Sequence, residues 1–499
     1  MDRKAYLLLI AILTIGFIIR GLTIFRAVRG DEGSFLYFGW MIVQGNVLYR
    51  DLFNEKSPGV FFTVALIFFL FGKNIFVVRI LSMFLSILTT LIIFKIGNKI
   101  SNPLTGLISA LLYELEPITL SYSTMVVTET FMIFFMVLAV YFYIPAHEKN
   151  STWHYLLVGV LIGLSAIMRQ TGIILLLVVI LHRVYSRDTV KKAFQSIGTL
   201  MVGVIISVIP LIVYFLAVNA LNDALYDIIL YKLSYSYGFT IFKTLEIFFK
   251  QVFLINVILW IVGVGGVLFA LERRKKWDVF LVGWCLASFF VIAVMSTPYD
   301  HYYIQGMPSI SLLGGIFVEK LIKIHKKMGQ GNSQSSTYSR IIKWLLMSLA
   351  LSGLLISGEY LYQDIKYTNG LPYQLEAAEY IKSQTSPDEA IFSPDAAYYL
   401  LTDRENRYKL AQLSAGNIES FGISDLPQYL ESERIRYIII DLHAERWRFN
   451  EETYRNFFND EARAVEVKMV YEWILENYEL EVTFGSGIEE IYIYHSKFF

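Results

Sequence analysis

The chain has 499 residues, 55% of them hydrophobic and 16% aromatic, with only 17% charged, whereas a soluble chain carries about 25% charge. Lys plus Arg and Asp plus Glu each number 43, giving a formal net charge of zero, which excludes a generally basic surface and argues against a nucleic-acid partner. The one cysteine, Cys285, lies inside an apolar run, which excludes an intramolecular disulfide and a cysteine-based metal cluster.

Crossing a hydrocarbon core of roughly 30 Å takes about 20 apolar residues in a helix. Stretches of this kind run over 5–25, 75–97, 103–121, 128–145, 154–169, 171–185, 194–218, 246–271, 277–296, 303–322 and 341–358. The first follows a short charged start without a small-residue cleavage site, so it reads as a retained helix and not a signal peptide. The stretch 58–71 is apolar but short and opens on Ser57-Pro58. Charge placement decides how to count it. With the N-terminus cytoplasmic and 58–71 dipping in and returning, Arg3, Lys4, Lys95, Lys99, Lys149, Arg183, Arg187, Lys191, Lys192, Arg273–Lys276 and the basic residues from Lys320 to Lys343 all fall inside, a clear positive-inside pattern. A true crossing at 58–71 would invert every later loop. An odd number of spans then leaves the C-terminal end outside.

From about Glu359 the long apolar runs stop. Strand-like runs appear at Ala390–Ser393, Ile435–Asp441, Leu480–Phe484 and Ile488–His495, with helix-like stretches at Tyr373–Ser383 and Val467–Tyr478. The expected architecture is a polytopic α-helical membrane module over 1–358, with about 11 transmembrane helices and one re-entrant or interfacial helix. A small extracytoplasmic α/β domain follows over 359–499, and the whole is a multi-pass protein of the cell membrane. Gly329–Thr337 is a flexible cytoplasmic loop by composition. The Asn150-Ser-Thr sequon falls on the cytoplasmic side and is discounted.

The first external loop, 21–57, is the richest in chemistry. Asp31 and Glu32 stand just beyond the first span, where a carboxylate beside a partly desolvated cavity can act as a general base. Arg50, Asp51 and Lys56 follow, with Lys56 placed at the mouth of the short helix to hold an anionic group such as phosphate. The same topology brings Glu129, Arg169, and Asp300-His301-Tyr302 to the outer face. Each has a bland alternative as a cap, a snorkelling base or part of an aromatic belt, but convergence from separate loops favours a site. Asn219–Thr244, with Tyr226, Tyr231, Tyr235 and Tyr237, reads as an amphipathic external segment covering a cavity. There is no Walker A loop, no His-Glu-x-x-His and no Gly-x-Gly-x-x-Gly, so nucleotide hydrolysis and zinc proteolysis have no support.

Taken in order, the acidic pair Asp31-Glu32, the aromatic loop ending in Asn54-Glu55-Lys56-Ser57-Pro58, Thr128-Glu129, Arg169-Gln170-Thr171-Gly172 and His301–Pro308 resemble the GT-C glycosyltransferases. The branch is that of the protein-mannosyltransferase and aminoarabinose-transferase-like enzymes, and the resemblance covers residues 1–360. It implies a polyprenyl-phosphate-linked sugar donor and transfer to a lipid, glycan or protein hydroxyl at the outer face. Asp31, with Glu32 beside it, would be the base and Glu129 a second catalytic acid that positions acceptor or sugar. Lys56, Arg50, Asp51, Arg169, His301 and Tyr302 would bind substrate. The motif Asp31-Glu32 is not an Asp-x-Asp motif, so a divalent metal ion stays an open possibility. A transporter or flippase of lipid-linked glycans is the alternative; it would place charges near the bilayer midplane.

Overall fold

The computed structural model describes residues 3–186, 189–231, 241–294, 299–328, 370–442, 449–453 and 461–498, with a few single positions between them. Most of the expected span 341–358, the loop Gly329–Thr337, and Tyr235 and Tyr237 lie outside this set. In chain order the bundle begins with α1 (Arg3–Leu22), α2 (Gly30–Val43), α3 (Gly59–Phe71), α4 (Ile75–Ile100), α5 (Pro103–Glu114), α6 (Pro117–Tyr122) and α7 (Thr128–Lys149). It continues with α8 (Thr152–Met168), α9 (Ile174–Tyr185), α10 (Val190–Ala217) and the short α11 (Leu221–Leu225), then α12 (Val257–Arg273), α13 (Lys276–Ala293) and α14 (Met307–Met328). Among the described residues, six helical stretches are long and apolar enough to cross a membrane: α1, α4, α7, α10, Thr244–Arg273 and α13.

Close packing of these helices rests on small residues, as expected where lipid removes the hydrophobic drive between helices. A Cβ on Gly97 or Gly106 would collide with the facing helix where α4 meets α5, and one on Gly159 or Gly203 would do so where α8 meets α10. The expected span 103–121 is broken in two. Pro117 has no N–H to continue the ladder, and the Glu116 carboxylate accepts the Ile118 and Thr119 N–H groups at 3.3 and 2.6 Å, starting α6 afresh.

The short helix α3 has 13 residues, a length of ~20 Å, too short to cross alone. At its start the Gln170 amide donates to the Glu55 carbonyl at 3.2 Å, and Gly59 sits against the Ile167 carbonyl at the end of α8. Just past its end Lys73 donates to the Leu400 carbonyl at 2.8 Å and pairs with Asp403, both in the C-terminal layer. Glu55 and Lys56, just before α3, line a cleft with Leu410 and Gln412 of the same layer, so both ends of α3 lie near it.

That layer comprises α15 (Leu371–Gln384), α16 (Ala396–Thr402), α17 (Ala415–Phe421), α18 (Leu426–Ser432) and α19 (Glu461–Asn477), with strands β1 (Tyr437–Asp441), β2 (Tyr478–Phe484) and β3 (Ile491–Ser496). The strands form an antiparallel sheet in the order β1-β3-β2, with Tyr437 opposite His495 and a register shift between Leu480 and Val482. The run Ala390–Ser393, expected as a strand, gives only one bridge, Phe392 to Ile438. Pro394 ends the pairing because it has no N–H to offer. Phe35, Phe61 and Val64 of α2 and α3 share one buried cluster with Ala397, Tyr399 and Ile493, so the layer is joined to the bundle by a continuous apolar core.

Two buried ion pairs pin the bundle. Arg20 pairs with Glu114 and donates to Ser123 Oγ at 2.8 Å and Ser86 Oγ at 2.9 Å, joining α1, α4 and α5. Arg79 of α4 grips Glu32 of α2 with two parallel bonds of 2.9 and 2.7 Å, and its Nη1 donates to the Ile24 and Arg26 carbonyls. The Val126 N–H adds a third donor to Glu32 at 3.1 Å. Removing one partner strands the other as an uncompensated buried charge.

Cysteines introduced singly at Arg50, before α3, and Lys73, after it, are expected to react with an impermeant maleimide from the same side of sealed vesicles, and one at Lys326 from the opposite side; labelling of the Arg50 and Lys326 positions from one side would refute the dipping helix. Glu32→Ala is expected to cost about 3–5 kcal/mol of stability, read as an earlier thermal unfolding transition, whereas Asp31→Asn leaves the transition near that of wild type.

Candidate functional site

Asp31, Lys56, Glu129, Arg169, His301 and Tyr302 meet at one end of the bundle, each delivered by the end of a helix or turn. Asp31 lies in the first turn of α2, where free backbone N–H groups favour negative charge. Lys56 precedes α3, and its Nζ is 3.3 Å from Asp31 Oδ2 and 3.4 Å from Glu55 Oε1. Glu129 opens α7 and Arg169 follows the last residue of α8; they pair at 2.6 Å, and Arg169 also donates to Thr128 Oγ1 at 3.0 Å. His301 stands in the turn Asp300–Gly306, with Nε2 3.8 Å from Glu129 and Nδ1 3.5 Å from Asp300. The Arg169 guanidinium lies 4.2 Å from the centre of the Tyr302 ring, and Tyr122 donates to Asp300 at 3.0 Å.

Glu32 is absent from this gathering. Consecutive helical residues point about 100° apart, so Glu32 faces the bundle interior and is fully buried against Arg79 while Asp31, 43% exposed at its side chain, faces the cluster. Glu32 thus braces α2, and its two oxygens are already engaged. Arg50 and Asp51 also stand apart. They pair with each other at 2.9 and 3.0 Å at the surface, Arg50 donates to the Val218 carbonyl, and Asp51 accepts the Val47 N–H.

Burial pushes the Asp31 carboxyl up, but Lys56, His301 and Arg169 outweigh it and leave the group below the ordinary aspartate range. For Lys56 burial works against the charge, and Asp31 followed by Tyr302 and Glu55 holds it well above the usual lysine value. Both groups are therefore charged across the physiological range. Asp227, in the π-helical turn Tyr226–Leu230 that follows α11, is different: burial raises it to about 7, with the Asn54 N–H donating to it at 3.3 Å.

The C-terminal layer fixes the backbone that leads into Asp31. The Gln374 side-chain amide makes two bonds to Val28, accepting its N–H at 2.7 Å and donating to its carbonyl at 2.9 Å. Asp395 accepts the Gly30 N–H at 3.0 Å, and Arg29 reaches Glu489 at 2.7 Å. Gly30 has φ +55°, a left-handed conformation that suits glycine. These contacts join positions more than three hundred residues apart, and no local pattern announces them. The tyrosine-rich segment also reaches the layer: Tyr231 donates to Ser420 Oγ at 2.9 Å and stacks on Phe421. A cleft runs between the two layers, lined by Asp31, Lys56, Phe35 and Asn54 from one and by Gln412 and Asn417 from the other.

Among the described residues, no group of three or more His, Cys, Asp or Glu is placed to hold a metal ion. Asp31 and Glu129 are each already matched to a cation, so this donor set does not fit a divalent ion, and no step below passes through one.

A family model described as dolichyl-phosphate-mannose-protein mannosyltransferase matches residues 55–214. No curated protein matches the chain by sequence. The solved structure of ArnT from Cupriavidus metallidurans bound to undecaprenyl phosphate superposes with a TM-score of 0.64 at 13% identity, over 99% of this chain and 98% of that one. Its apo state gives 0.63 at 13% identity over 97% of both chains. The Archaeoglobus fulgidus oligosaccharyltransferase tethered with an acceptor peptide gives 0.59 at 12% identity, over 96% of this chain and 74% of that one. The first external loop, the bundle and the α/β layer together are thus matched nearly end to end, and the chain shares the fold of these structures.

Proposed function

We propose that the chain is a membrane glycosyltransferase that moves a sugar from a polyprenyl-phosphate-linked donor to an acceptor hydroxyl, with Asp31 as the base. The observation that carries this reading is the Asp31–Lys56 pair: a partly exposed carboxylate beside a cation, in the cleft where the bundle meets the α/β layer. Support on the donor side comes from the matched ArnT structure, which was obtained with undecaprenyl phosphate. The acceptor belongs to the broad class of lipids, glycans and proteins.

The chemistry follows from the charges. The acceptor oxygen bonds to the anomeric carbon as the bond from that carbon to the phosphate oxygen breaks. The acceptor proton passes to Asp31, and the lipid phosphate leaves with the electron pair. Lys56 and Arg169 are the cations positioned for the growing phosphate charge, the kind of preorganised electrostatics that dominates catalysis. Lys56 now neutralises Asp31. An arriving phosphate would compete for that cation and free the carboxylate to accept a proton. Glu129 and His301 hold Arg169 and the turn around it, and Tyr302 supports the guanidinium from one side.

Sidedness belongs to the same proposal. The basic residues Lys99, Lys149, Arg183 and Lys326 come at helix ends remote from the cluster, which supports a cytoplasmic N-terminus and a cluster and α/β layer on the outer face.

Asp31→Asn is expected to lower kcat for transfer at least about a hundredfold, measured with a labelled polyprenyl-phosphate sugar pool; unchanged turnover would remove Asp31 as the base. Because Lys56 holds the Asp31 carboxyl low, Lys56→Met should let it rise, moving the acid limb of the rate–pH profile to higher pH. An unmoved limb would show that the pair does not set the base. Gln374→Leu, which unclamps Val28, is expected to lower kcat with little change in donor KM, because it loosens the base without touching the donor.

A further inference from the structure

The motif His301–Pro308 contains a glutamine, Gln305, to which the chemistry above gives no role. It lies in the turn Asp300–Gly306 that carries His301 and Tyr302, and only 2% of it is exposed. Its side-chain oxygen accepts the Thr171 hydroxyl at 2.7 Å. Thr171 belongs to a second turn, Gln170–Ile173, which follows directly on Arg169. The hydroxyl has one hydrogen and a second acceptor within reach, Met132 Sδ at 3.3 Å, but the amide oxygen is nearer and a thioether accepts only weakly. Both turns are backed by helices. A Cβ on Gly172 would collide with Ser165 of α8, and one on Gly306 would collide with the Phe289 ring of α13. Packing alone does not account for a glutamine at this place. Its Nε2 is buried with no hydrogen-bond partner among the described residues, an open donor that an apolar side chain of similar shape would not carry. The bond to Thr171 accounts for it.

We propose that Gln305 is a positioning residue for the donor phosphate, setting the Arg169 guanidinium through Thr171; the inference rests on the transferase reading above. Arg169 is drawn toward α7 by Glu129 at 2.6 Å and Thr128 Oγ1 at 3.0 Å, and it lies against the Tyr302 ring. A phosphate must compete with Glu129 for this cation. The arginine side chain is long, so where its head lies depends on the backbone from which it starts. Gln305 holds that backbone two residues further on, and it does so from the turn that also delivers His301 and Tyr302. The cation and its two aromatic neighbours are thereby fixed relative to one another before a phosphate arrives. Charges set in advance need no rearrangement at the moment they act, and such a set is only as exact as the contacts behind it.

The test titrates the purified full chain in nanodiscs with a fluorescent polyprenyl phosphate and with the matching neutral polyprenol. Thr171→Val and Gln305→Met are each expected to weaken binding of the phosphate about tenfold, with binding of the polyprenol unchanged, and Thr171→Ser to stay within about twofold of wild type. The double variant Thr171→Val/Gln305→Met separates positioning from stability. It replaces both polar partners by apolar groups of similar shape, so its thermal unfolding transition returns to that of wild type or above. Its phosphate binding is expected to stay about tenfold weaker, no worse than either single variant, because the two residues make one bond. Three results would each overturn the proposal: single variants that bind the phosphate like wild type, a double variant that recovers binding along with stability, or a wild type that does not prefer the phosphate to the polyprenol. Parallel assays of labelled lipid-linked sugar tell the two readings apart. Turnover equal in wild type and both single variants, with unaltered phosphate binding, sinks the positioning role and keeps the transferase. The expected binding pattern without turnover onto any acceptor does the reverse.

Discussion

The grip of Arg79 on Glu32 is the interaction on which the placement of the cleft depends. It fastens α2 to the membrane bundle through charges fully removed from water, with both carboxylate oxygens and a backbone N–H engaged. Such a pair tolerates little displacement, because a shift of either partner leaves a buried charge unmatched. The other side of the same short stretch is fastened to the α/β layer by Gln374 and Asp395. Asp31 therefore sits at a fixed seam between two layers.

The residues around Asp31 follow the same economy of charge. Three acids of the cluster have basic neighbours: Asp31 and Glu55 share Lys56, and Glu129 faces Arg169 and His301. Pairing lowers the cost of holding ions in a partly desolvated place. In the proposed reaction it also sets a resting state in which Asp31, as the base, and Lys56, as the cation for the phosphate, satisfy one another. A donor phosphate that draws on Lys56 would change the environment of Asp31 at the moment the base is needed, without any rearrangement of the helices.

Several features were legible from sequence because they depend on local composition. Apolar length marks the long helices, and the distribution of Lys and Arg asks for 58–71 to begin and end on one face; in the fold its start lies against the end of α8 and its end against the C-terminal layer. The convergence of Asp31, Lys56, Glu129, Arg169 and His301 followed from topology, since each stands at a helix end that the same topology turns to one side. Local reading failed where direction or punctuation mattered. Asp31 and Glu32 looked like a pair, but the helical twist sends them to different environments. The span 103–121 looked continuous until Pro117, and Ala390–Ser393 looked like a strand until Pro394.

The sequence by itself determined that this is a multi-pass membrane protein with an α/β tail and a polar cluster at one end, because hydrophobic length, charge bias and helix ends are one-dimensional properties. Only the tertiary structure decided which acid faces the cleft, that Gln374 and Asp395 hold its backbone, and that Gln412 and Asn417 form the facing wall. Those contacts join residues hundreds of positions apart, and the side chains that make them are ordinary amides and carboxylates that acquire direction only when the chain is folded.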